Sequence, residues 1–243
     1  MISEKEIKTT LSVGVSVGIF SFIFIIYFII KKLISGNSSS RIINFIFTII
    51  IIVIVIAVQL GIDFTNLKIF CSSVQRGKDT NMLLLKNGAT TLIIFGLLSL
   101  ILSIMPSWKA PFSNTIGYLL ASRITFTNTK KLVDKILDSV KGNIGESNKA
   151  LEVLSRCRQD KSMLINDMSP RTVDKYLNQI GYTEGVNGYD RSVVRDLKKV
   201  VNTKDDIASF IWYILSISLV ATINSNNVFE TSCRKNPELL SQT

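Results

Sequence analysis

The ten residues IIIIVIVIAV, Ile49 to Val58, decide how the rest of the chain is read. In water such a β-branched run would suit a buried strand. Here it lies inside a stretch without a single charge, Ile42 to Ile62. About 20 apolar residues, rising 1.5 Å each as a helix, cover a hydrocarbon core of roughly 30 Å. Backbone polar groups in lipid must satisfy one another, so length overrides strand propensity and the stretch is read as a spanning α-helix.

Three further charge-free stretches follow the same logic: Thr9 to Ile30, Asn87 to Trp108 and Ile207 to Phe229. Together they explain a mean hydropathy of +0.35 in a chain of 243 residues. The expected fold class is an all-α integral membrane protein, with four transmembrane helices and a soluble helical domain inserted between spans three and four. In numbers, 1–108 holds spans one to three (about 9–30, 42–62 and 87–108). Residues 109–206 form a membrane-proximal segment with a basic helical domain, and 207–243 form the fourth span and a short tail. Span one carries Glu4 and Glu6 before it and Lys31-Lys32 after it, with no small-residue cleavage site, which marks a retained anchor rather than a signal peptide.

The chain contains no histidine. That rules out Ser-His-Asp and Cys-His nucleophile systems and His-ligated metal sites. Cys71, Cys157 and Cys233 lack the close spacing of metal or redox motifs. No metal-ligand cluster, nucleophile motif or phosphate-binding glycine loop is present, so neither an enzyme nor a cofactor is expected.

Basic residues orient the spans. The amino-terminal tail, the Asp63 to Lys86 connection and the carboxy-terminal tail together carry eight Lys or Arg, whereas the Lys31 to Arg41 loop and the Lys109 to Asp206 segment carry twenty. Both termini are therefore expected on the non-cytosolic side. On that threading Cys71 and Cys233 share a compartment, so a disulfide between them and three unpaired thiols both stay open. Asn37-Ser38-Ser39, the one glycosylation pattern, faces the cytosol and should remain unmodified.

Within the spans, small residues four apart let helix backbones approach closely. Span one carries two such overlapping patterns, Ser12 with Ser16 and Gly14 with Gly18, and is the favoured packing face; Ala57 and Gly61 of span two form a further candidate. The spans as delimited contain no Asp, Glu, Lys or Arg, and Tyr27, Asn44, Thr48 and Gln59 sit alone or near the ends. Proton relays and coupled transporters usually keep ionisable groups near the midplane, so a conduction pathway is disfavoured and a hydroxyl-lined oligomeric pore stays open.

At Pro106-Ser-Trp-Lys the oily run stops, and Pro111 breaks the helix again. Lys31, Lys32, Trp108 and Lys109 are the expected interfacial anchors. Phe112 to Phe126, with one Arg and no acid, is expected to lie along the membrane or beneath the soluble domain, capped by Ser113 or Asn114. Farther on, Leu132, Val133, Ile136, Leu137 and Val140 fall on one helical face. Leu151, Val153, Leu154 and Cys157 form a second stripe. Val173, Tyr176, Leu177 and Ile180 follow Ser169-Pro170, and Val193, Val194, Leu197, Val200 and Val201 stripe a last helix. Thr203 to Asp206 reads as a capping box that starts span four. Of Tyr176, Tyr182 and Tyr189, the first is the expected core residue. Asp134, Asp138, Glu152 and Asp160 are expected in surface ion pairs with Lys130, Lys135 and Arg156. From Lys109 to Asp206 the net charge is +5, with Lys130, Lys131, Lys198 and Lys199 as the candidate partner surface. Such a surface suits anionic headgroups or an acidic protein, and nucleic acid ranks last because no binding motif accompanies it.

PSWKAPFSNTIGYLLASR (106–123), through Trp108, Lys109, Pro111, Phe112, Asn114, Gly117 and Tyr118, resembles the membrane-proximal segment of multi-span structural membrane proteins of large double-stranded DNA viruses with an internal lipid membrane. The resemblance implies a virion membrane component whose basic domain meets the capsid's inner surface or a minor capsid protein. The expected partners are therefore the lipid bilayer, other membrane or capsid proteins, and further copies of the chain. An oligomeric pore or small-solute permease is the competing expectation.

Overall fold

The structure, a computed structural model, describes residues 4–35, 41–70, 78–141, 155–157, 159–185 and 187–234. These form two compact units, one built from Met1–Ile34, Ser40–Met105 and Trp212–Thr243, the other from Ser35–Ser39 and Pro106–Ile211.

Four helices in the structure are long and apolar enough to span a bilayer, at Thr9–Leu33, Ile42–Lys68, Thr80–Ile104 and Arg191–Glu230. They belong to α1 (Glu4–Ser35), α2 (Arg41–Phe70), the pair α3 (Lys78–Thr91) and α4 (Leu97–Ile104), and the last helix of the chain. A π-helical turn, Leu92–Gly96, joins α3 to α4. Large apolar residues on their outer faces, among them Phe22, Ile25, Ile46, Ile50, Ile93 and Leu219, stay exposed. In water that surface would drive aggregation; against acyl chains it is at rest. The chain is an all-helical, multi-pass integral membrane protein.

Contacts inside the first unit show that its helices alternate in direction. Asn66 donates to the Ser12 hydroxyl at 2.8 Å, and Asp63 accepts from Asn87 and Asn224, so the start of α1, the end of α2, the start of α3 and the carboxy-terminal part of the last helix share one end. Farther along the bundle Phe24 stacks on Phe95 at 5.7 Å and meets Tyr213 at 5.4 Å, and Tyr27 touches Phe47. Aromatic pairs of this kind add about 0.5–1.5 kcal/mol each beyond their burial.

Helix packing does not use the glycine faces. Gly14, Gly18 and Gly61 are open, with no atom within 4 Å of where a Cβ would stand, and Ala57 is exposed. The buried face of α1 is Ser12, Ser16, Phe20 and Phe24, and that of α2 is Ile51, Val55, Gln59, Asp63 and Leu67. On α1 the small residues turned inward are thus Ser12 and Ser16 rather than the glycines, and Phe20 and Phe24 fill the space beyond them with dispersion contacts.

The second unit begins with a 3-10 turn, Pro106–Lys109, which ends the third span earlier than expected. It continues as α5 (Ala110–Phe112), a π turn (Ser113–Gly117) and α6 (Tyr118–Ile124). Ser113 and Asn114 therefore lie inside a helix rather than capping one. Gly117 is required there: a Cβ would stand 2.6 Å from the Lys204 carbonyl oxygen and 3.0 Å from that of Phe112. Helices α7 (Thr129–Lys141), α8 (Lys161–Asn166) and α9 (Val173–Gln179) follow, and α10 (Arg191–Arg234) closes the described chain.

The expected apolar stripes of α7, α9 and α10 meet in one core with Ala121, Leu164, Ile165 and Met168. Cys157 joins it; Leu151, Val153 and Leu154 lie outside the described residues. Tyr182 is the fully buried tyrosine, its hydroxyl accepting from the Asp190 amide at 3.1 Å, whereas Tyr176 is only half-buried. Helix α9 starts after Thr172 rather than at Pro170, because Thr172 and Val173 donate to the Ser169 carbonyl and hold 170–172 in a turn. Nor does Thr203 start a helix. Asp190 precedes α10, its carboxylate accepting from the Ser192 amide at 2.7 Å, and the helix runs on for 44 residues through Thr203.

Candidate functional site

The first unit contains a buried polar layer that crosses three helices. Its centre is Asp63, 1 % exposed. Gln59, one turn earlier on α2, donates its Nε2 to Asp63 Oδ1 at 2.8 Å. Asn87 of α3 and Asn224 of α10 donate to Oδ2 at 3.0 and 3.2 Å. Asn224 Nδ2 also reaches Thr91 Oγ1 at 3.2 Å. At 1.5 Å per residue the layer lies roughly 7–10 Å inside the ends of the apolar spans at Lys68, Thr80 and Glu230.

None of the ion pairs among the described residues involves Asp63. The nearest linked cation is Lys86, whose Nζ donates to Asn227 Oδ1 at 3.0 Å; Asn227 in turn donates to Asn87 Oδ1 at 3.0 Å, and Asn87 to Asp63. Lys86 is exposed and two side chains removed from the carboxylate. Three buried oxygens at the layer have no hydrogen-bond partner: Gln59 Oε1, Asn224 Oδ1 and, on the next residue, Ser225 Oγ. The layer thus combines one negative charge with lone pairs that face no donor, an expensive arrangement in a low-dielectric interior.

This corrects the expectation that no span holds an ionisable residue. Delimiting a span by absence of charge cut α2 at Ile62, one residue before Asp63, and started span three at Asn87. The usable signal was polar residues one turn apart at the cut ends: Gln59 with Asp63, and Asn87 with Thr91.

In the second unit, Lys204 is buried and donates to the carbonyls of Ile165 at 2.6 Å and Asn166 at 3.3 Å and to Asn114 Oδ1 at 3.1 Å. It seals the carboxy-terminal end of α8, where carbonyls lack intrahelical partners. Lys109 does not snorkel outward but pairs with Asp205 at 2.8 Å, both largely buried. Trp108 is half-exposed, Lys32 is exposed, and Lys31 lies over the Phe28 ring at 5.7 Å. Of the candidate partner surface, Lys130 and Lys131 are exposed. Lys198 and Lys199 are engaged within the chain, the first with Asp174 at 2.7 Å, the second with the Thr125 carbonyl at 3.4 Å. Asp134 pairs with Lys161, and Asp160 caps α8 through Ser162. Cys157 is a buried free thiol whose pKa burial, and then the Asp167 carboxylate, push up. Cys71, like 37–39, lies outside the described residues, as does the Cys233 side chain.

The helical run 110–124 has two faces. Ala121 and Tyr118 pack into the domain core, while Ile116, Leu119, Leu120 and Ile124 are exposed with Arg123 among them. It ends in a Schellman-type cap: Thr127 donates to the Ser122 carbonyl, Phe126 to that of Arg123, and Phe126 takes a left-handed φ of 53° with its ring 96 % exposed. Comparison with protein-family models, curated proteins and solved structures yields no match.

Proposed function

We propose that the chain is a non-enzymatic structural membrane protein that holds a basic helical domain against a bilayer, where the domain binds a protein layer. The observation that carries this reading is the two-faced run 110–124, which shares the core of the domain on one side and offers Ile116, Leu119, Leu120, Ile124 and Phe126 on the other. An in-plane segment of that composition buries its apolar face at the headgroup boundary. The resemblance of residues 106–123 to viral membrane proteins extends the reading: the bilayer is the internal membrane of a virion, derived from a host membrane, and the protein layer is a capsid or minor capsid protein. Of the four lysines named for that surface, Lys130 and Lys131 are the exposed pair.

Cross-linking mass spectrometry in the native membrane tests this. Links from Lys130 or Lys131 into a shell protein are expected, and links confined to the chain itself would overturn it. The Asp63 layer favours a second reading, an oligomeric pore or small-solute permease. Reproducible flux through liposomes carrying the purified protein would decide for it.

A further inference from the structure

We propose that the layer around Asp63 binds one alkali-metal cation, with the carboxylate as charged ligand and the side-chain oxygens of Gln59, Thr91 and Asn224 completing the protein's share of the shell. The amides of Gln59 and Asn224 currently turn their NH2 groups toward Asp63 and leave Oε1 and Oδ1 without partners. A half-turn about the last torsion exchanges oxygen for nitrogen at almost no steric cost. For Asn224 that turn carries Oδ1 to a point now 3.2 Å from both Asp63 Oδ2 and Thr91 Oγ1. Oxygens that far apart repel unless a cation lies between them. As edges of an octahedron they correspond to a metal–oxygen distance of about 2.3 Å, within the range of hard cations.

Charge and donor type choose the ligand. All the candidate ligands are oxygens, which excludes soft metals, and among the described residues no group of three or more His, Cys, Asp or Glu is placed to hold a metal ion. One carboxylate balances one positive charge, and Lys86 is too far along the Asn227–Asn87 chain to neutralise it directly. Divalent ions usually draw on more carboxylates than this.

The inference is independent of the anchoring role, since a cation response and cross-links to a shell are read separately. The test uses the full chain in nanodiscs of zwitterionic lipid at constant ionic strength, with choline replaced by lithium, sodium or potassium, and melting followed by the fluorescence of Trp108 and Trp212. The expected result is a midpoint that rises with the concentration of one alkali cation. Asp63→Asn should raise the half-saturating concentration at least about tenfold, the cost of roughly 1.4 kcal/mol of lost attraction, while Asp134→Asn leaves it unchanged. If Asp63→Asn does not fold, Asn224→Leu and Gln59→Leu, which keep the carboxylate, should each weaken the response. Equal midpoints in all salts, or a response that survives these substitutions, overturns the proposal. So does a full rise produced by acid in choline to which no alkali cation adds, because the ligand would then be a proton.

Discussion

Single residues in this chain carry costs that only their surroundings explain. Phe126 closes α6 in a conformation that suits glycine, at a price of about 1–2 kcal/mol for a side chain with a Cβ. Its ring contacts almost nothing in the protein. Phe126→Gly should therefore raise the thermal stability of the domain by about 1 kcal/mol while weakening association of the domain face with lipid, measured by melting and by tryptophan quenching with brominated lipids. Asp190 shows the opposite economy. The Ser192 hydroxyl, then its amide, holds the carboxyl below the usual carboxylate range. A lowered folded pKa means that stabilisation is complete above the unfolded value and is lost as pH falls through the folded one. Acid melting curves should thus show a loss below the ordinary carboxylate range that Asp190→Ala removes, together with a lower midpoint at neutral pH.

At the scale of elements, the crossing of the Ser113–Gly117 turn over α10 depends on one missing methyl. Gly117→Ala would drive a Cβ against two carbonyl oxygens, both backbone, which cannot step aside as a flexible side chain would. Overpacking of this kind costs about 1–3 kcal/mol, and faster hydrogen exchange in α5, α6 and the Lys204 region is the expected readout. The helices themselves were legible in the sequence because apolar spacing reports burial directly: the stripes Leu132 to Val140 and Val193 to Val201 sit where their period puts them. Their ends were not. The expected cap at Thr203 to Asp206 failed because Thr203, though a good capping residue, lies in a helix already stabilised on both sides by tertiary burial, which outweighs a local hydrogen bond.

For the whole molecule, four spans that alternate in direction bring the start of α1 and the carboxy-terminal part of α10 to one end of the first unit. Protease added to sealed vesicles in which the domain faces outward should cleave the domain while epitope tags at both termini stay protected. Simultaneous loss of domain and tags would contradict the threading. What the sequence hid at this scale was the Asp63 layer, since no periodicity in one helix announces that Gln59 and Asp63 will meet Asn87 and Asn224 from segments more than 20 and 160 positions away. Charge-based delimitation of spans is blind to an acid whose partners arrive only on folding.

The wide turn at Leu92–Gly96 bears on that meeting. Leu83, Asn87, Thr91, Phe95 and Ser99 are all buried, every fourth residue without exception, whereas an ideal helix slips about 40° at each such step. One surplus residue in the turn takes back most of the accumulated slip. Deleting Ile93 would tighten the turn and swing everything after it by roughly 100°, so the phenylalanine that stacks on Phe24 and the asparagine bound to Asp63 could no longer face inward together. Insertions and deletions elsewhere in the loops should be tolerated far better than the loss of that one position.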